Sequence, residues 1–154
     1  MGTPRFIGVT NYFSMFKDDV FLKSMLNTLY YAAIITPSLT IFSFLLALVL
    51  RQITKGREFF KVVFVFPMVV TLVSTASIWK GIFLPLGPLN HLLAQLNIGP
   101  IMFLSAEYVK ITLAFILIWR DLGYFSIFYL AGLEQIPQEI VDASKVDGAN
   151  SRQR

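Results

Sequence analysis

Leu130-Ala-Gly-Leu-Glu-Gln-Ile-Pro-Gln-Glu-Ile-Val-Asp-Ala-Ser-Lys-Val-Asp-Gly-Ala-Asn150 sets a polar, helix-compatible segment directly after a long apolar run. Pro137 suits the first turn of a helix, because its missing N–H would be unpaired there anyway. Gly148 suits the position just past a helix end, where a left-handed backbone is cheap without a Cβ. About three turns fit between them. Ile140, Ala143, Ser144 and Asp147 fall on one face of such a helix, and Glu139, Asp142 and Lys145 on another. Two small residues at the centre of a face let another surface approach closely. The residues by themselves allow two readings: a surface that receives a partner, or a solvated connector between membrane spans.

The composition places this segment in a membrane protein. Of the 154 residues 56% are hydrophobic, 15% aromatic and only 14% charged, with a mean hydropathy of +0.68. A soluble domain carries about 25% charged residues. There is no cysteine, which excludes a disulfide framework, a thiol nucleophile and a thiolate metal site. One histidine, His91, makes a His-based metal site or catalytic triad a poor reading, so no catalytic residue, metal or cofactor is expected. The net charge is +4, but the basic residues lie beside apolar spans and look like topology determinants rather than a nucleic-acid surface. Residues 1–20 lack a basic region followed by an apolar core, so no signal peptide is expected there. Met1-Gly-Thr-Pro-Arg-Phe6 lacks the Ser or Thr that myristoylation wants at its sixth position.

The expected fold class is all-α, a polytopic helical membrane protein with three spans. Residues 24–50 hold no charge and predict a first span at about 26–50, with Pro37 inside it. Arg51, Lys55, Arg57 and Lys61 against Glu58 make 51–61 a basic loop, which belongs on the cytoplasmic side. A charge-free run at 62–79 is just long enough for a second span, 62–80, with Pro67 near its start. Leu89, Leu92, Leu93 and Leu96 predict a short helix at 89–97 on the external side. Two apolar pieces interrupted by Arg120 and Asp121 join into a third span at 106–133, with a bend expected near Gly123. Three spans put the N-terminus outside and the C-terminus inside, with the basic loop and the 134–150 segment both in the cytoplasm.

The 134–150 segment resembles the cytoplasmic coupling loop, the EAA loop, of permease subunits in bacterial ABC importers. The family pattern is an acidic residue, two small residues, two further positions, then Asp-Gly-Ala; here these are Asp142, Ala143, Ser144, Lys145, Val146, Asp147, Gly148 and Ala149. The preceding Leu-x-x-Ile-Pro-x-Glu, Leu133 through Glu139, is similar to the sugar and glycerol-phosphate (maltose-type) branch. Two residues depart from the pattern: Asp142 stands where Glu is usual and Ser144 where Ala is usual, keeping charge or size. Weaker landmarks follow in the family's order: Phe6-Ile-Gly-Val-Thr-Asn-Tyr12, Asn27-Thr-Leu29, Gly56-Arg-Glu-Phe-Phe-Lys61 with Phe66-Pro67, Ile78-Trp-Lys-Gly-Ile-Phe83, and Trp119 through Gly123.

The resemblance implies a six-helix type I permease core, of which residues 1–154 hold a partial domain of three helices, as a fragment ending just after the coupling loop. It implies a multi-pass subunit of the bacterial inner membrane that passes a carbohydrate or related solute from an extracytoplasmic solute-binding protein. Its partners would be the lipid bilayer, a second permease subunit and ABC ATPase subunits, with no nucleic acid. No Gly-x-x-x-x-Gly-Lys-Ser/Thr loop occurs, so the subunit is not expected to be an enzyme and ATP hydrolysis is expected in a partner. The ATPase-coupling residues implied are Glu139, Asp142, Ala143, Ser144, Asp147 and Gly148, with a plain helix-end residue as the lesser reading of Asp147. Trp119, Arg120, Asp121 and Tyr124 are candidates for a transport-pathway wall, since charges at membrane depth face protein or a wet cavity. Their bland reading is an interhelical polar contact. The rival class for the whole chain is a small non-enzymatic membrane scaffold or channel subunit; a membrane-embedded enzyme has no residue cluster to support it.

Overall fold

The computed structural model describes residues 8–150; residues 1–7, including Phe6 and Ile7 of the first landmark and the hexapeptide at the N-terminus, lie outside the described residues, as do 151–154. Seven helices and no strand occur among the described residues: α1 (Thr10–Met15), α2 (Asp19–Gln52), α3 (Arg57–Val69), α4 (Leu72–Ile82), α5 (Pro88–Gln95), α6 (Val109–Glu134) and α7 (Gln138–Val146).

The first apolar run is part of a longer helix than expected. Asp18 caps α2 with its side chain, accepting from the N–H groups of Val20 at 2.7 Å and Phe21 at 3.4 Å. Asp19 in the first turn complements the helix dipole. These two residues move the start from about 26 to Asp19. At 34 residues, α2 is about 51 Å long and outruns a hydrocarbon core of about 30 Å. The helix continues through Pro37.

The second run differs more. The sequence predicts one span over 62–80; α3 and α4 instead meet at 95°. The cause is a helix start hidden inside the apolar run. Thr71 Oγ1 accepts from the Ser74 N–H at 3.3 Å and donates to Ser74 Oγ at 2.9 Å, while Val70 is extended. A side-chain N-cap starts a new helix wherever the backbone can turn into it, and Pro67 has already removed one hydrogen bond from the last turns of α3.

The third run is a single helix. α6 passes unbroken through Arg120, Asp121 and Gly123. Gly123 is therefore no bend point. A Cβ built there would lie 1.9 Å from the Phe64 carbonyl oxygen, so the glycine is what lets α3 and α6 touch backbone to backbone. Small residues also fill other buried positions, Ser43 and Ala47 on α2 and Ala114 and Ser126 on α6, beside the larger Leu50, Ile116 and Leu130. Close approach through small residues is how helices associate where lipid removes the hydrophobic drive.

Contacts between α2 and α6 fix the path of the chain. Lys110 Nζ lies 5.6 Å from the Tyr30 ring centre. Ser43 Oγ donates to the Leu122 carbonyl at 3.0 Å. Ala47, Leu50 and Leu130 form one buried cluster. Arg57, just past the end of α2, pairs with Glu134 at the end of α6. The paired residue numbers rise together, so α2 and α6 run parallel. The chain between them must then return along their length. It does so with α3 and α4: Phe64 lies against Gly123, and Trp79 against Trp119 and Phe115. The bent pair is thus a broken crossing rather than a loop that re-emerges on its own side.

At the far end α5 forms close to its expected bounds, with Pro88 in its first turn. Asn90 is buried there and stitches the turn together, donating to the Leu84 and Ile101 carbonyls and accepting from the Ile101 N–H.

Candidate functional site

The polar segment at the end of α6 forms the expected short helix. Pro137 sits just before α7 with an extended ψ of 139°, one position earlier than a first-turn placement. The exit is a Schellman motif: the Gly148 N–H bonds the Lys145 carbonyl at 3.1 Å, and the Ala149 N–H bonds the Ser144 carbonyl at 2.9 Å. Gly148 takes the left-handed φ of +80° that this closure requires.

α7 packs extensively against no other helix among the described residues. Ile140, Ala143 and Asp147 are exposed on the expected face and Ser144 is half-buried. Val146, 88% exposed, and Ile136 add apolar surface around them. The Ser144 hydroxyl turns back to the Val141 carbonyl at 2.7 Å, so the residue presents a small surface rather than a free donor. Asp142 accepts from Lys145 Nζ at 2.6 Å and from Gln138 Nε2 at 3.1 Å. These two donors, the Lys145 bond foremost, hold its carboxyl below the ordinary carboxylate range. Glu139 occupies the first turn, where a negative charge suits the dipole. Asp147 is the C-cap, and its N–H closes on the Ala143 carbonyl.

One residue at this end carries more than its charge suggested. Arg57, read from the sequence only as part of the basic loop, donates Nε to the Ile53 carbonyl and Nη2 to the Arg51 carbonyl, each at 3.0 Å. Its Nη1 reaches Glu134 Oε1 at 2.5 Å. A Lys or Arg near a helix C-terminus is a local signal for such capping; the Glu134 half is 77 positions away and carries no local signal.

The mid-helix candidates make separate sets of contacts. Arg120 and Asp121 pair directly, 2.9 Å apart, although neighbours on a helix point about 100° apart. Trp119 meets Trp79 edge to face at 5.1 Å, beside Phe83 and Phe115. Tyr124 belongs to a different group, with Phe125 and Phe128. Trp79, expected only as an interface marker and landmark, is the hub of the aromatic cluster. A cavity of about 160 Å³ opens where α3 breaks from α4, lined by Phe66, Pro67, Thr75, Trp79 and Trp119. Arg120 Nε and Trp79 Nε1 are buried without an acceptor among the described residues. Fourteen residues of helix separate Arg120 from Glu134, so this region stands about 21 Å along α6 from the α7 end. No group of three His, Cys, Asp or Glu positioned to hold a metal occurs among the described residues.

No protein-family model matches the chain. The sn-glycerol-3-phosphate transport system permease protein UgpA of Yersinia pestis is 30% identical over 161 aligned residues, covering 99% of this chain and 52% of that protein. The probable ABC transporter permease protein YurN of Bacillus subtilis is 30% identical, covering 97% of this chain and 53% of its own length. Among solved structures, a bacterial ABC transporter involved in the import of the acidic polysaccharide alginate superposes with a TM-score of 0.85 at 25% identity, over 96% of this chain and 53% of that one. The chain thus spans about half the length of the curated relatives it matches. Throughout that half it resembles bacterial ABC importer permeases of the sugar and glycerol-phosphate branch, and it shares their all-helical, multi-pass membrane fold.

Proposed function

We propose that this chain, alike in sequence and fold to bacterial ABC importer permeases, is part of the membrane-spanning subunit of an ATP-driven importer. It passes a carbohydrate or related solute from an extracytoplasmic binding protein into the bacterial cytoplasm. The observation that carries this reading is α7, a polar helix held out from the end of α6 with a small-residue face open and its exit closed by a left-handed glycine. A mere connector needs no such face. A helix that seats in a groove of a second protein does.

The sidedness has two supports. The basic loop 51–61 favours the cytoplasm, and the Arg57–Glu134 pair holds the α7 end of α6 beside that loop. On this reading ATP is hydrolysed in a separate subunit. Its closure pushes on α7, with Ala143 and Ser144 allowing close packing and Gly148 setting the exit angle. Asp142, engaged within its own helix, keeps α7 formed more than it reaches out. The exposed phenylalanines, valines and leucines of α2, α3 and α6 face lipid, further helices of the same permease and a second permease subunit.

The relatives' names speak of glycerol 3-phosphate, and one structural neighbour was solved in complex with an alginate pentasaccharide-bound periplasmic protein. For this chain the supported class is a carbohydrate or related solute. The exposed rings of Trp119 and Tyr124 suit it in one respect, since flat aromatic faces stack on sugar rings.

A cysteine at Ala143, which is exposed where Ser144 is half-buried, tests the coupling reading. In the assembled importer it should cross-link to the ATPase subunit, with a yield that changes when nucleotide binds. A correctly inserted permease whose Ala143 cysteine never reaches an ATPase returns α7 to the status of a connector and favours the scaffold or channel reading.

A further inference from the structure

We infer that Arg57 is a positioning residue that ties the α7 segment to the α2–α3 hairpin through Glu134, adding a polar link at the α7 end to the apolar packing that joins α6 to α2 and α3. The geometry is a three-way clamp. Two arms of the guanidinium hold the Ile53 and Arg51 carbonyls, which lie in the last turn of α2 and just beyond it, where helical carbonyls have no partner of their own. The third arm holds Glu134, the last residue of α6 and three positions before Pro137. Neighbouring charges leave Glu134 to Arg57: Glu58 is taken by Lys61 at 2.8 Å, and Asp142 by Lys145. Gly56, at φ +78°, turns the chain so that Arg57 opens α3. One side chain therefore sits on the end of α2, the start of α3 and the end of α6 together.

Arginine suits this place and lysine does not. A guanidinium is a rigid plane with five donors, so it serves two carbonyls and a carboxylate at once; an ammonium on a flexible stem has three donors radiating from one atom. Without the clamp, the end of α6 that leads into α7 would be held to α2 and α3 by apolar packing alone, with Ile53, Phe64 and Leu133 against the Leu50–Leu130 cluster. It could then shift against the basic loop more freely.

The consequence for transport rests on the importer reading; the clamp itself does not, and the test separates them. Spin labels at Thr54 and Ala143, both exposed, report the distance between the basic loop and α7 in the full-length protein in lipid. Glu134→Gln and Arg57→Lys should each populate displaced distances. The ratio of the main population to the displaced ones should fall by up to about fivefold, which is what a half-exposed ion pair supports. In the assembled importer the same variants should move less solute per ATP. A purely structural role would show as a lower thermal midpoint with an unchanged Thr54–Ala143 distance in the surviving protein, and that result overturns the inference. If the distance shifts but no ATPase partner responds, the clamp stands and the importer reading fails.

Discussion

Replacing Gly123 by alanine asks whether α3 and α6 meet backbone to backbone. The added Cβ would lie 1.9 Å from the Phe64 carbonyl oxygen, 2.3 Å from its carbonyl carbon and 2.9 Å from the Val65 nitrogen, where ordinary contact begins at 3.4 Å. All three are backbone atoms, so no side chain can swing aside. The helices must part by roughly 1.5 Å, which puts the penalty at the upper end of the roughly 1–3 kcal/mol seen for overpacked cores. Alanine also raises helix propensity by about 0.8–1.0 kcal/mol, which would mask part of the loss. Gly132→Ala on the same helix is the control, since a Cβ there meets nothing within 4 Å and the propensity gain is the same. Thermal midpoints of the two purified variants, measured side by side in detergent, should therefore separate by about 2–4 °C for each kcal/mol of clash, with Gly123→Ala the lower. Equal midpoints, or a stabilised Gly123→Ala, would refute the close approach and with it the account of why this glycine lies in the middle of a membrane helix.

Two further outcomes concern α7. Gly148→Ala should loosen the helix exit by about 1–2 kcal/mol, the cost of a left-handed non-glycine residue; Gly148→Pro should do worse, because it fixes φ near −65° and deletes the N–H that bonds Lys145. In the assembled importer the proline variant should hydrolyse ATP with little uptake, and wild-type uptake per ATP in both variants would show that the exit angle is irrelevant. The depressed Asp142 carboxyl sets a pH dependence with a definite sign. Its contribution to α7 is in place above the ordinary carboxylate value of 3.8 and is lost as pH falls through the lower folded value. A peptide spanning 134–150 should lose helicity on acidification below about pH 4, and Asp142→Asn should remove the part of that loss not owed to Glu134, Glu139 and Asp147; identical acid profiles for the two peptides would assign no role to the carboxylate.

The elements legible in the sequence are those whose signal is local. Most of α2 is a charge-free run, α6 is two apolar runs joined across Arg120 and Asp121, α5 is a leucine stripe behind a proline, and α7 is bracketed by Pro137 and Gly148. The features that escaped are those in which a local signal competes with a stronger one or depends on a distant residue. Thr71 and Ser74 form an ordinary N-cap, but inside a run of apolar residues just long enough to span, length outweighed the cap. A glycine in a helix is compatible with a bend or with close packing, and only the arrival of Phe64 decides between them. Arg57 was legible as one charge of a basic loop, while its pairing with Glu134 depends on α2 and α6 lying parallel, which no window of either helix encodes.

That parallel arrangement also explains why the middle crossing can be broken. With α2 and α6 running the same way, the return segment must come back along α6, and it meets one stripe of that helix, where Phe115, Trp119 and Gly123 follow at intervals of four. α3 does this through the Phe64–Gly123 backbone contact, and α4 through the Trp79 cluster against Trp119 and Phe115. A straight helix would set Phe64 and Trp79 about 22 Å apart along its axis, whereas the residues they meet, Gly123 and Trp119, stand about 6 Å apart on α6. The 95° break admits both contacts and leaves about 160 Å³ open beside Trp79 and Trp119. The cap at Thr71 is therefore the sequence feature that opens this space, and the clamp at Arg57 is the one that ties the other end of the same segment to the end of α6 that leads into α7. On the importer reading, residues 57–82 connect the two candidate functional regions, and a displacement of α7 carried by Arg57 into α3 would arrive at the break that lines the cavity.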